Sequence, residues 1–235
     1  MIKRFLAGLL CVLLLIGLNN VSVGTSYAFG IITSKSESSK MPTVIIDAGH
    51  GGFDGGAVAK DGTVEKDINL AISLKLNTVL EALGYKTVTV RTTDTAVNDT
   101  DNNGGSAKAS DIKNRVALMN KHSDAIFVSI HMNKYGTTQP HGAQVFYART
   151  ENSDILANCI QCSISLKVQP DNKRVIKPTT NDIYLLKHAT IPAVIVECGF
   201  LSNPNDLENL KNEEYQLKVA TSIAFGIINY YKNEV

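Results

Sequence analysis

Four side chains of this sequence have the types and settings that metal-assisted hydrolysis needs. His50 lies in Asp47-Ala-Gly-His-Gly-Gly52, His131 in Ser129-Ile-His-Met-Asn133, Glu197 in Val196-Glu-Cys-Gly199, and Glu65 in Glu65-Lys66. Two imidazoles and one carboxylate, with a fourth position left open, make a catalytic zinc set. The remaining carboxylate is then available as general base toward an attacking water. Residue type alone does not decide which of Glu65 and Glu197 ligates. Each piece is weak by itself, because a single histidine at a strand end is more often a hydrogen-bonded structural residue than a ligand. Glu197 is harder to set aside, since a carboxylate that ends an apolar run is costly to bury without a partner. His122, His141 and His188 fall in helix-end or loop settings and are expected to be solvated.

These groups meet only if the chain delivers them to one place. Thr43–Asp47 is a short apolar, β-branched run of the kind found in buried strands, and it feeds directly into the His50 loop. Apolar residues at 68, 72, 76, 79, 80 and 83 predict a helix over Glu65–Leu83, stopped by Gly84. Glu65 would stand at its N-terminus, where an ionised carboxylate is favoured. Lys86–Arg91 alternates as a second strand, and Ser110 is expected to cap a helix running to about His122 after a polar loop. Ala125–His131, Ala143–Ala148 and Ala193–Cys198 are further strands. Asn203-Pro204 opens a short helix, and Tyr215–Tyr231 is the closing one. Alternating strands and helices predict a largely parallel, helix-covered sheet, whose functional groups gather beyond the carboxyl ends of its strands. His50, His131 and Glu197 all follow such ends.

Length and composition suit one sizeable α/β domain or two small ones. The 235 residues are 44% hydrophobic and 19% charged, and 23 basic against 22 acidic residues leave a formal charge of +1. That balance gives no electrostatic footprint for nucleic acid. Trp is absent and aromatics are 6%, which argues against an aromatic carbohydrate platform. Residues 1–28 read as an export signal: Lys3 and Arg4, an apolar run Phe5–Leu18 too short for a full span, and Ser26-Tyr27-Ala28 before a cleavage site. Cys11 lacks the preceding small residue of a lipidation site. Residues 29–41 are a Ser- and Lys-rich linker, and removal of the leader leaves 21 basic and 22 acidic residues. Work outside the cytoplasm follows. Cys159-Ile-Gln-Cys162 has the spacing of a redox or metal pair, but no second pair exists. A helical face of Ile155, Cys159, Cys162 and Leu166 would bury both as small hydrophobes.

Taken in order, Asp47–Gly52, Glu65-Lys66, Ser129–Asn133 and Val196-Glu-Cys-Gly-Phe-Leu-Ser-Asn203 resemble the zinc-dependent N-acetylmuramoyl-L-alanine amidases of the Amidase_3 type, over about Pro42–Lys232. Arg91 with Asp94, and Arg115 ahead of the His131 strand, also sit where that family's pattern has them. The resemblance implies a mixed, largely parallel six-stranded sheet flanked by helices, in a single catalytic domain spanning residues 42–235. It implies one zinc ion held by His50, Glu65 and His131, with Glu197 as the catalytic acid/base. The implied reaction hydrolyses the amide between the lactyl group of N-acetylmuramic acid and L-alanine in peptidoglycan. Small size and bare architecture resemble the spore-cortex, germination-associated subgroup, whose activity supplies the stripped muramic acid for muramic-δ-lactam.

Other chemistries fit parts of the pattern. A cysteine hydrolase built on Cys198 and His131 would need Cys198 on the Glu197 face, yet neighbours along a strand point to opposite faces. A zinc peptidase cutting within the stem peptide shares the chemistry but lacks the usual His-x-x-Glu ligand pair. A non-catalytic wall-binding or regulatory module would have no need of the full set. The expected partners are a peptidoglycan substrate and an activating protein, with no nucleic acid and no stable membrane span after cleavage. Two features motivate the activator: no wall-binding repeat follows the closing helix, and the glycine-rich stretch Gly51–Gly62 separates His50 from Glu65. Ordering such a loop costs entropy, so the isolated chain is expected to hold zinc weakly, and a partner selecting the ordered form would tighten it by linkage. The segment from His131 to Glu197 is short and carries no obvious inhibitory helix.

Overall fold

The computed structural model describes residues 42–99 and 106–233, so the expected leader (1–28) and linker (29–41) lie outside it. Its strands are β1 (Thr43–Ala48), β2 (Lys86–Thr89), β3 (Ala125–Asn133), β4 (Gln144–Tyr147), β5 (Lys177–Pro178) and β6 (Ala193–Phe200). The helices are α1 (Glu65–Ala82), α2 (Ala107–Asn120), α3 (Ser153–Lys167), α4 (Tyr184–Lys187), α5 (Pro204–Lys211) and α6 (Glu213–Asn233). The strands form one six-stranded sheet in the order β2-β1-β3-β6-β4-β5. The first four run parallel, and β4 lies antiparallel to β6. This is the mixed, largely parallel sheet expected. Among the described residues no helix is long and apolar enough to cross a membrane.

Both faces of the sheet are covered, which explains the nearly continuous apolar runs of β1, β3 and β6. Val44, Ile46, Val128, Ile130, Val194, Val196 and Cys198 pack with residues of α1, α3 and α6. Ile45, Phe127, Ala193 and Ile195 pack on the other face with Met119 of α2 and with Leu185 and Leu186 of α4. That second layer is thin, and it leaves the carboxyl ends of β3 and β6 open on its side. Pairing fixes which side chains meet there: Asp47 lies opposite Ser129, and His131 opposite Glu197.

Some expectations need correction. Helix α2 starts a turn early, because Ser106 Oγ accepts from Ala109 N at 3.1 Å, whereas Ser110 lies inside the helix and its hydroxyl donates to Asp99 at 3.0 Å. Helix α3 turns a different face inward than its apolar spacing suggested. Leu156, Ala157, Ile160 and Ile164 are buried, while Ile155, Cys162 and Leu166 are exposed and Cys159 is half-buried. The reason is polar: Gln161 Oε1 accepts from Val145 N at 2.9 Å and its Nε2 donates to Ala143 O at 3.2 Å, so Gln161 must face β4. Strand β2 ends at Thr89 rather than Arg91, whose side chain turns inward toward the β1 loop. Neither the two-residue β5 nor the four-residue α4 has enough sequence for a periodic signal.

Candidate metal centre

The His50 loop is fixed by its carbonyls. Arg91 Nε donates to Ala48 O at 2.8 Å, and its Nη2 to Gly49 O at 3.0 Å and Lys66 O at 2.9 Å. Arg115 Nη2 donates to His50 O at 2.7 Å. The same guanidinium pairs with the buried carboxylate of Asp47, which also accepts from Ser129 Oγ at 2.7 Å. Lys66 Nζ bridges Gly52 O at 2.8 Å and Asp94 at 2.6 Å, and Asp94 in turn accepts from Gly52 N at 2.8 Å. His50 itself is held at φ 61°, a left-handed conformation that non-glycine residues rarely adopt outside functional loops. The stretch to Gly62 is similarly tied, with Gly51 N donating to Asp54 O at 2.9 Å and Ala59 N to Thr63 O at 2.8 Å.

Three of the expected residues converge. His50 Nε2 lies 3.2 Å and His131 Nδ1 3.0 Å from the same oxygen, Glu65 Oε1. One donor atom from each of the three fits within 4.8 Å of the others. The two imidazoles meet edge to face, with ring centroids 4.9 Å apart. Other groups orient them. Asp54 Oδ2 holds His50 Nδ1 at 2.8 Å, a carboxylate behind an imidazole that fixes the ring and leaves Nε2 for a ligand. Glu65 Oε2 accepts from Ala57 N at 2.8 Å and Oε1 from Met132 N at 3.1 Å, so amides from two other segments anchor it in place of its own helix terminus. Glycines leave the space: a Cβ on Gly49 would sit 2.2 Å from His131 Nε2, and one on Gly56 (φ 70°) 2.6 Å from Glu65 Oε2.

The fourth residue stands beside them. Glu197 is the pairing neighbour of His131 across β3 and β6, and its Oε2 is buried with no hydrogen-bond partner among the described residues. Burial, helped by the negative charge of Glu65, pushes its carboxyl up to about 7. Glu65 moves the other way: burial opposes ionisation, but hydrogen bonds from His131 and His50 hold it well below the usual carboxylate range. His50 is raised despite burial, because Glu65 and Asp54 face it. Two carboxylates driven apart in this way separate a permanently charged group from one poised to exchange a proton. Nitrogen, nitrogen and oxygen donors with a free carboxylate alongside fit a zinc ion. A cleft of about 250 Å³ opens on the imidazoles, bounded by Asp54, Lys108, Asp111 and Tyr184.

Cys198 faces the opposite layer, fully buried, with burial pushing its thiol up, so it cannot serve as a nucleophile here. His141 and His188 are exposed, and neither belongs to the cluster. Asp54 and Asn69 escaped the sequence reading. Asn69 Nδ2 donates to Gly49 O at 3.1 Å and contacts Glu65 Oε1 at 3.3 Å, tying helix to loop. The spacing of Asp54, four residues after a histidine in a glycine-rich turn, was the available signal.

Comparison with known proteins agrees in sequence and in fold. The Amidase_3 family model, described as N-acetylmuramoyl-L-alanine amidase, matches residues 44–229. The germination-specific N-acetylmuramoyl-L-alanine amidase of Bacillus subtilis strain 168 is 33% identical over 190 residues, covering 80% of this chain and 79% of that protein. The CwlD amidase from Clostridioides difficile, solved in complex with the GerS lipoprotein, superposes with a TM-score of 0.77. It is 41% identical over 81% of this chain and 98% of that one. An N-acetylmuramoyl-L-alanine amidase from Clostridium difficile 630 gives a TM-score of 0.73 at 31% identity, over 84% and 100% of the two chains. A family match over most of the chain, carried on the shared sheet that brings His50, Glu65 and His131 together, means that this chain belongs to the N-acetylmuramoyl-L-alanine amidase family.

Proposed function

We propose that this chain is a zinc-dependent hydrolase of the amide between the lactyl group of N-acetylmuramic acid and L-alanine in peptidoglycan. The observation that carries the reading is the convergence of His50, Glu65 and His131 with Glu197 as register neighbour. His50 Nε2, Glu65 and His131 Nδ1 would hold one zinc ion. Bound there, zinc supplies Lewis acidity that makes water nucleophilic near neutral pH and polarises the scissile carbonyl. Glu197 takes the proton of the attacking water at its buried carboxylate. It then returns that proton to the departing amine of L-alanine. Asp54 keeps His50 oriented through the cycle, and Arg91 and Arg115 keep the loop carbonyls from drifting.

The likeness to the germination-specific amidase of Bacillus subtilis supports a place in the spore cortex, outside the cytoplasm, where the product would be the stripped muramic acid needed for muramic-δ-lactam. The relative solved with a lipoprotein supports an activating protein partner for this chain as well. The hydrogen bonds across the loop from Gly51 to Gly62 favour a site that is ordered before any partner arrives.

The test is mass spectrometry of purified peptidoglycan after incubation with the exported chain and zinc, with Glu197→Gln in parallel. Free N-terminal L-alanine with intact glycan is expected from the wild type. The Gln variant should keep its zinc and lose about 10²–10⁴-fold in turnover. Cleavage within the stem peptide would make it a peptidase instead. Zinc loss in the Gln variant would exchange the roles of Glu197 and Glu65. Calorimetric zinc titration of the isolated chain decides the partner question: tight binding with full lytic activity leaves no role for an activator.

A further inference from the structure

His131, Glu197 and Gln144 form one row across β3, β6 and β4, since Glu197 pairs with both of the others. Directly opposed residues of an antiparallel pair place their side chains on the same face, about 5 Å apart. Gln144 therefore stands next to Glu197, on the side away from the imidazoles. It is buried, and its Oε1 accepts from Arg174 Nη1 at 3.0 Å while its Nε2 donates to Val175 O at 2.8 Å.

Arg174 is held from three directions. Besides Gln144, its Nε donates to His141 O at 2.7 Å, and its guanidinium lies 4.5 Å over the ring of Phe200. Yet among the described residues it has no ion-pair partner. The other two guanidinium groups near the site are explained by their bonds: Arg91 and Arg115 staple the His50 loop. Arg174 is half-buried and fixed in orientation, and none of the groups that hold it is an anion. A groove of about 540 Å³ opens in front of it, walled by the 137–141 segment and by Asp171, Asn172 and Lys173. A guanidinium whose fork is already oriented loses little entropy on taking a carboxylate, which it can grip through two parallel bonds.

We propose that Arg174 is a specificity-determining residue that receives a carboxylate of the substrate peptide. The inference rests on the amidase reading. There Glu197 protonates the departing amine, so the peptide side of the cut bond lies toward Glu197, and the chain beyond it runs over Gln144 to Arg174.

The experiment uses two muropeptides that differ only in whether the carboxyl of the residue after L-alanine is free or amidated. The wild type should favour the free acid by about tenfold or more in kcat/KM, through KM, as expected when a charged hydrogen bond is lost. Arg174→Gln should bring the ratio to about one. Arg174→Lys should restore part of it, having the charge without the fork. Lys121→Gln, at an exposed cation outside the groove, should keep the wild-type ratio. An unchanged ratio in Arg174→Gln overturns the proposal, as does equal loss on both substrates or a wild type indifferent to amidation. Should the wild type cleave neither, the amidase reading fails and binding still decides Arg174. A tenfold calorimetric preference that Arg174→Gln abolishes supports the carboxylate contact, and equal affinities overturn it.

Discussion

Glu65 and Glu197 are chemically alike and shifted in opposite directions: burial raises Glu197, whereas the groups that face Glu65 outweigh its burial. Two imidazoles and two backbone amides point at Glu65, whereas among the described residues nothing donates to Glu197 Oε2. Replacing His50 or His131 with alanine removes one of three donors, so zinc content after dialysis should fall sharply while the far-ultraviolet signal stays. Full zinc content in both variants would refute the ligand assignment. Glu197 has a second consequence in the metal-free protein. Its folded-state pKa of about 7 lies above the unfolded value near 4.5, so the native state holds the extra proton. This group's contribution to stability therefore falls as pH rises from about 4.5 through about 7. Glu197→Gln, which cannot ionise, should melt higher than the wild type at pH 8 with metal removed, and an equal or lower melting temperature would contradict the buried-carboxylate account. The acid limb of activity should track the same ionisation and lie at or below pH 7, since a nearby cation favours the charged form.

At the scale of elements, the site depends on how α1 and α2 grip the loop after β1. Arg115 spends its guanidinium on Asp47 and on the carbonyls of Ala48 and His50. Arg115→Ala leaves the buried Asp47 carboxylate without its counter-charge and the His50 carbonyl without its donor, so urea unfolding should register a loss of about 3–5 kcal/mol. Zinc affinity should fall with it, because the His50 backbone loses its anchor. A loss below 1 kcal/mol would mean that water replaces the guanidinium. The strands that carry His131 and Glu197 were legible because both faces are buried and their apolar runs are unbroken. The inward face of α3 was not, because Gln161, Ser153 and Ser163 are buried polar residues that a hydrophobic pattern assigns to solvent. Asp54 was hidden for a similar reason: its role is a hydrogen bond to a ring whose position only the folded loop defines.

Across the whole molecule, the four residues of the proposed site come from the beginning, middle and end of the domain, and only the sheet unites them. Asp47 and Ser129 meet over 82 residues of chain, and Glu65 reaches His131 over 66. Such parallel pairings close late and slowly, because the intervening loops must be ordered before any contact rewards them. Zinc can find three ligands together only after β1 and β3 are in register and α1 has packed against them. In kinetic terms the metal site belongs to the native side of the folding barrier, where contacts form after the rate-limiting step. Saturating zinc should then slow unfolding severalfold and leave the folding rate unchanged, which tyrosine-detected stopped-flow in urea can separate. A folding limb that speeds up in proportion to zinc would mean that the ligands assemble before the sheet does. The protein's lifetime, more than its yield on refolding, would follow the zinc supply.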